Sequence, residues 1–168
     1  KALIIVPTTS LVEQMTSDFL DYSSYDDTFS VDDVHKIYSG KEKITDCRVV
    51  VTTWQSIYKL PGEWFSQFGF VVGDEAHTFK AKSLASIMEK LRDCRYRYGA
   101  TGTLDGTQTH RLVLEGLFGQ VFKVTTTRDL IDSKALADLK ITVLLLKYSE
   151  ETRRNQTKKK YNEEIDFI

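Results

Sequence analysis

Short apolar runs alternate along the chain with segments whose apolar side chains recur every three or four residues. Ala2–Val6 (ALIIV) is an unbroken apolar run stopped by Pro7, and it reads as a strand. From Thr8 to Asp21 the apolar positions Leu11, Val12, Met15, Phe19 and Leu20 share one helical face. Val34–Tyr38 and Arg48–Thr53 read as further strands, and a helix is predicted from Thr53 toward Leu60, where Pro61-Gly62 breaks it. Phe70–Asp74 is the next strand, with a helix predicted over Lys82–Leu91 and a strand and turn over Cys94–Thr103. A helix over Thr109–Leu117 and a strand over Gln120–Val124 follow.

The β-branched runs are continuous rather than alternating, which predicts strands buried on both faces with helices as crossovers. The fold class is therefore α/β, a mostly parallel sheet with flanking helices. Such sheets bind ligands beyond the carboxyl ends of their strands, so the loops after Val6, Val51, Gly73 and Gly99 should share one edge. Beyond Leu139, Lys140–Tyr148 (KITVLLLKY) predicts a strand and Ser149–Ile165 a charged helix, which would open a second domain. Both ends of the chain look cut, and the sheet is expected to be incomplete at both.

Composition narrows the reading only a little. Among 168 residues, 41% are hydrophobic and 28% charged, enough for a packed core in a soluble domain. The net charge of -1 makes no electrostatic case for nucleic acid, yet it permits a local basic groove. Two cysteines, Cys47 and Cys94, are too few for a disulfide framework and read as small buried thiols. No run reaches the ~18 apolar residues of a membrane span, so no membrane partner is expected. His35, His77 and His110 lack a metal-ligand spacing, and the basic run Arg153–Lys160 reads as a solvated helix face.

The chemistry gathers at Phe70–Phe79 (FVVGDEAHTF). An aspartate at the tip of a parallel strand, facing the ligand edge, is where phosphoryl-transfer enzymes hold magnesium, commonly through water. A glutamate next to it can orient and deprotonate an attacking water. A lone Asp-Glu pair, however, is more often a surface cap on the next helix.

The surrounding motifs change that balance. Gly73-Asp74-Glu75-Ala76-His77 at a strand end is the DEAH form of the Walker B motif, and the chain resembles the superfamily 2 helicases and translocases. Ile4–Gln14 (IIVPTTSLVEQ) looks like that family's motif Ia, and Tyr38–Lys41 (YSGK) sits where it has motif Ib. Val49–Ile57 (VVVTTWQSI) resembles the next nucleic-acid-contacting motif, and Tyr98–Gly106 (YGATGTLDG) resembles motif III. Leu114–Phe122 (LEGLFGQVF) matches a stretch of the branch holding XPB-like and phage recombination helicases. The motifs stand in the family's order from Ala2 to Val124.

The resemblance implies a RecA-like (P-loop NTPase) sheet. Residues 1–137 would be the distal part of the first such domain, and 138–168 the start of a linker or second domain. It implies ATP and Mg²⁺ as cofactors and DNA, single-stranded or branched, as a sequence-independent partner. Asp74 would be the magnesium-side carboxylate, acting through water, and Glu75 the water-orienting base. His77 would bridge the nucleotide site to motif III, whose hydroxyls are Thr101 and Thr103. The nucleic-acid contacts would be Pro7, Thr8, Thr9, Ser10, Gln14, Ser39, Gly40, Thr52, Thr53 and Gln55. Backbone amides and hydroxyls at a helix start can bind a phosphate, and the same geometry caps a helix, so either role fits Thr9 or Ser10. Trp54 reads as a buried indole before a base-stacking one. The resemblance implies a cytoplasmic protein, in the host cell if phage-encoded, with a monomer as the working guess.

One family feature is missing. No G-x-x-x-x-G-K-[ST] occurs, and Ser39–Glu42 (SGKE) fails as a substitute because Glu42 stands in place of the Ser or Thr. The phosphate loop would lie before Lys1 and the arginine finger beyond Ile168. The expectation is that the intact protein hydrolyses ATP and this stretch alone does not. Rival readings are a restriction-type translocase, an RNA helicase, or a nucleic-acid-binding module of the same fold without ATPase activity.

Overall fold

The computed structural model describes residues 1–25, 28–104, 108–137, 142–143, 147 and 149–150. The chain gathers into two compact units, Lys1–Phe122 and Lys123–Ile168. The expected domain boundary after residue 137 falls within the second.

In the first unit the apolar runs become five strands: β1 (Ala2–Val6), β2 (Val34–Ile37), β3 (Val49–Thr53), β4 (Phe70–Gly73) and β5 (Tyr96–Gly99). They form one sheet in the order β2-β3-β1-β4-β5, with every neighbouring pair parallel. The α/β class is as expected, and the sheet with its flanking helices is RecA-like. Register aligns the strand ends. Val6 lies opposite Thr53, Ile5 opposite Gly73, Gly73 opposite Gly99, and Ile37 opposite Thr52. Their carboxyl ends therefore share one edge.

Side chains alternate across the pleat, so β1 to β4 each feed two cores, while β5 is mostly exposed. On one face Ile4, Val6 and Val51 pack with Val12, Leu11, Met15 and Phe19 of α1 (Thr9–Tyr22). On the other, Leu3, Ile5, Val50 and Val71 meet α2 (Trp54–Ile57), α3 (Gly62–Phe65), α4 (Lys82–Lys90) and α5 (Gln108–Phe118) through Ile57, Phe65, Ile87, Met88 and Leu114. The loop from β2 to β3 has no helix and is held down by its neighbours. His35 Nε2–H donates to the Glu42 carbonyl at 2.9 Å, and Trp64 Nε1–H to that of Lys43 at 2.8 Å.

Several expectations shift. Gln120–Val124 is not a strand: Gly119 ends α5 at φ 94, and Phe122 is exposed with no ladder partner among the described residues. β4 stops at Gly73, leaving Asp74 in the loop. Cys94 is buried as expected, whereas Cys47 is only partly covered, in a loop with its Sγ 3.1 Å from the Asp32 carbonyl. The short α3 and the 3-10 turns Val31–Asp33 and Ala76–Lys80 were not foreseen.

In the second unit, α6 (Thr127–Asp132) begins at a reciprocal cap. Thr126 Oγ1 accepts from Asp129 N–H at 3.1 Å, and the Asp129 carboxylate accepts from Thr126 N–H at 2.9 Å. The Thr126 hydroxyl also donates to Asp129 Oδ2 at 2.6 Å, and that bond, ahead of the one from Thr126 N–H, holds the Asp129 carboxyl below its usual range. The expected strand over Lys140–Tyr148, the helix after it and the run Arg153–Lys160 rest on residues outside the described set. Among the described residues no helix is long and apolar enough to cross a membrane.

Candidate nucleotide and nucleic-acid site

β4 delivers its two carboxylates through a loop tied down on both sides. Asp74 N–H donates to the Ile5 carbonyl at the end of β1 (2.9 Å), and Ala76 N–H donates to Ala100 beyond β5 (2.8 Å). Ala100 N–H returns to the Gly73 carbonyl at 2.9 Å. Gly73 lacks a side chain for a local reason: a β-carbon there would sit 2.6 Å from Cζ of the buried Phe79 ring. Between these ties Glu75 takes a left-handed backbone, φ 48 and ψ 51. That conformation is costly for a residue with a β-carbon, and such strain concentrates at functional loops.

The strained turn sets the side chains. Asp74 Oδ1 accepts from Glu75 N–H at 2.9 Å, and Asp74 helps line a pocket of about 80 Å³ with Pro7, Trp54 and Thr78. His77 Nδ1 lies 3.2 Å from Glu75 Oε2 and 2.9 Å from Thr101 Oγ1. The Thr101 hydroxyl donates to the Thr103 carbonyl (3.1 Å) and accepts from Thr103 N–H (3.2 Å). The imidazole nitrogen therefore stands within reach of the Glu75 carboxylate and of the Thr101 hydroxyl at once. One imidazole thus joins the strand-end glutamate to the turn after β5.

The rest of the edge is less uniform than expected. Thr8 is the N-cap of α1, its Oγ1 accepting from Leu11 N–H at 3.3 Å, so its hydroxyl is committed to the helix. Thr9, Ser10, Gln14 and Gln55 are exposed on the same edge, as are Ser39 and Gly40 in the turn after β2. Pro7 is partly covered beside Asp74. Thr52 is corrected: it is 0% exposed, with its hydroxyl donating to the Thr53 carbonyl, because register turns it into the core. Thr53 is also buried, and its hydroxyl pairs with Ser56 Oγ at 2.9 Å, leaving little beyond its backbone to offer a ligand. Trp54 is a partly buried indole packed on the core.

A cluster that pattern reading did not single out lies on the same edge. Glu13 of α1 accepts from Lys36 Nζ at 2.8 Å and from the Tyr38 hydroxyl at 2.7 Å. The Lys41 ammonium stands 5.5 Å from the centre of the Tyr38 ring. These bonds, that of Lys36 first, hold the Glu13 carboxyl below its usual range, while Glu13 raises Lys36 and Tyr38 above theirs. The only sequence signal was period-two spacing of Lys36 and Tyr38; their partner is 23 and 25 residues away.

Among the described residues no three His, Cys, Asp or Glu side chains converge into a metal cage. Mg²⁺ does not need one. It keeps several waters and takes one or two carboxylates, a role the part-buried Asp74 fits.

A family model for "Type III restriction enzyme, res subunit" matches residues 1–106. The ATP-dependent DNA helicase uvsW of Enterobacteria phage T4 is 40% identical over 172 residues, covering 100% of this chain and 34% of the relative. A crystal structure of the UvsW helicase from bacteriophage T4 superposes with TM-score 0.62 at 43% identity, over 73% of this chain and 43% of that one. A second T4 UvsW crystal structure gives TM-score 0.62 at 40% identity, over 100% of this chain and 32% of the other. The chain thus spans about a third of the length of the curated relative it matches.

Proposed function

Because the chain belongs to the family of the type III restriction enzyme res subunit, we propose that it carries the Walker B and motif III part of the nucleotide site of an ATP-driven DNA helicase or translocase. Residues 1–137 are then the distal part of its first RecA-like domain, and 138–168 lead toward a second. The observation that carries the reading is the His77 imidazole, whose Nδ1 lies 3.2 Å from the Glu75 carboxylate and 2.9 Å from the Thr101 hydroxyl. A motor has to report the state of its nucleotide to the loops that move, and this imidazole touches both.

Asp74 is the side chain that would hold Mg²⁺, through water, and the bound ion would neutralise charge on the phosphates. Glu75 Oε atoms orient the water that attacks the γ-phosphate and accept its proton. His77, 3.2 Å away, keeps the Glu75 carboxylate aimed. Thr101 and Thr103 receive any displacement of that imidazole. On the other half of the edge, Thr9, Ser10, Gln14, Ser39, Gly40 and Gln55 bind the sugar-phosphate chain by backbone amides and polar side chains, with Pro7 shaping the loop. Such contacts ignore sequence, as a track-following protein requires. The track is DNA, single-stranded or branched, and the protein works in the cytoplasm, that of the host if a phage encodes it.

The test is DNA-stimulated ATP hydrolysis by the full-length protein. Glu75→Gln should lower turnover by about 10²- to 10⁴-fold and leave nucleotide binding in place. Asp74→Ala should abolish stimulation. Turnover close to wild type in Glu75→Gln removes Glu75 from the chemistry. ATP-independent DNA binding with no hydrolysis in the wild type makes the protein a binding module instead.

A further inference from the structure

We infer that Glu13 is a positioning residue for the nucleic-acid track: its carboxylate fixes Tyr38 so that the turn Tyr38–Lys41 presents the Lys41 ammonium to a backbone phosphate. The inference rests on the reading that this edge binds nucleic acid, and it adds to that reading a cation and the device that aims it.

The turn is built for one geometry. Lys41 N–H donates to the Tyr38 carbonyl at 3.0 Å, and Gly40 between them has φ 81. A positive φ at the third position of a turn requires glycine or asparagine, so the backbone there is fixed by composition. What remains free is the side chain of Lys41, long and rich in rotamers. Its ammonium lies over the Tyr38 ring, 5.5 Å from the centroid, an attraction that restrains it without neutralising it. The ring in turn is held at its far end by the 2.7 Å phenol–carboxylate bond to Glu13. Lys36 closes the arrangement from the same strand at 2.8 Å.

Glu13 also connects this turn to the start of α1. It follows Thr9 by four residues and Ser10 by three, the spacing that stacks side chains on one helical face. The exposed residues at that helix start and the Tyr38–Lys41 turn are therefore joined through one carboxylate into a continuous strip. A polyanion crossing the strip meets a hydroxyl-rich helix start, then an aimed ammonium.

Charge alone makes the opposite prediction, which gives the test its sign. Removing a carboxylate from a surface that binds phosphates should tighten binding if Glu13 is merely a nearby negative charge. Removing an aiming device should weaken it. Binding of a labelled single-stranded oligothymidylate to the full-length protein, followed by fluorescence anisotropy across a salt series, separates the two. Lys41→Gln should weaken binding about fivefold near 0.1 M salt and reduce the slope of log K against log salt by ~0.7, the share of one phosphate contact on a single strand. Glu13→Gln and Tyr38→Phe should each produce a loss of the same order with the same fall in slope. The pair Glu13→Gln with Lys41→Gln should lose no more than Lys41→Gln alone. Tyr38→Phe keeps the ring and the fold, so the test stands even if Glu13→Gln folds poorly. Equal or tighter binding by Glu13→Gln or Tyr38→Phe, or additive losses in the pair, overturns the inference while leaving the DNA-binding reading intact. A wild type that does not bind the oligonucleotide sinks both.

Discussion

Glu75 pays a backbone penalty of about 1 kcal/mol or more for its left-handed conformation at φ 48. A glycine would relieve it, and the sequence keeps a carboxylate instead. Glu13 shows the opposite economy, since its backbone is ordinary helix and its cost lies in holding charge. Its carboxyl is depressed chiefly by the Lys36 bond and then by Tyr38, while Lys36 and Tyr38 are raised by Glu13. A depressed carboxyl stabilises the fold above the usual carboxylate range and loses that contribution as pH falls through its lowered value. The raised Lys36 and Tyr38 stabilise below their usual ranges and lose it as pH rises through their raised values. The difference in melting temperature between wild type and Glu13→Gln should therefore be level from about pH 5 to about pH 10 and shrink on both sides. It should be small and fall with added salt, because the groups are exposed. Asp74, Glu75 and His77 were legible in the sequence because their neighbours in the chain are also their neighbours in the site. Glu13 was not, because no local pattern reports a partner brought in by the sheet.

Elements differ in the same way. β1 falls where its apolar run does, and β2 and β3 lie within a residue of theirs, because a buried parallel strand needs an unbroken apolar run and little else. α1 (Thr9–Tyr22) was foretold by its face of Leu11, Val12, Met15 and Phe19, all packed in one core. The Gln120–Val124 segment has strand composition too, but a strand forms only where an edge takes it up, and no local signal supplies that. α3 escaped notice because four residues are too few to show a helical period. At the start of α1 the cap belongs to one residue. Thr8 holds the cap, leaving Thr9 and Ser10 exposed. Thr8→Ala should cost about 1 kcal/mol of stability by denaturant unfolding, and Thr8→Ser should recover most of it. Equal losses in both variants would move the Thr8 contribution from the hydroxyl to the methyl group.

For the Lys1–Phe122 unit the strand order supplies what no motif could. With β2-β3-β1-β4-β5, the loops after β2, β3 and β1 stand together on one half of the edge, and those after β4 and β5 on the other. The first half carries Ser39, Gly40, Gln55, Thr9 and Ser10; the second carries Asp74, Glu75, His77 and Thr101. On the proposed reading, track and nucleotide are sorted by topology, and the seam between them is the β1–β4 pair. Asp74 N–H bonds the Ile5 carbonyl at 2.9 Å, and the pocket that Asp74 lines is also walled by Pro7 from the loop after β1 and Trp54 at the start of α2, directly after β3. The indole is thus rooted on the track half while bordering the nucleotide half. If occupancy of the track is felt at the carboxylates, packing through Trp54 is one route for it, beside the Asp74–Ile5 bond. Trp54→Ala in the full-length protein should then reduce DNA stimulation of ATP hydrolysis by about 0.5–2 kcal/mol, roughly 2- to 30-fold, with DNA-independent turnover unchanged. Trp54→Phe, which keeps an aromatic wall, should fall between. Loss of both activities together would mean that the indole only supports the fold, and unchanged stimulation would move the coupling to the Asp74–Ile5 backbone bond.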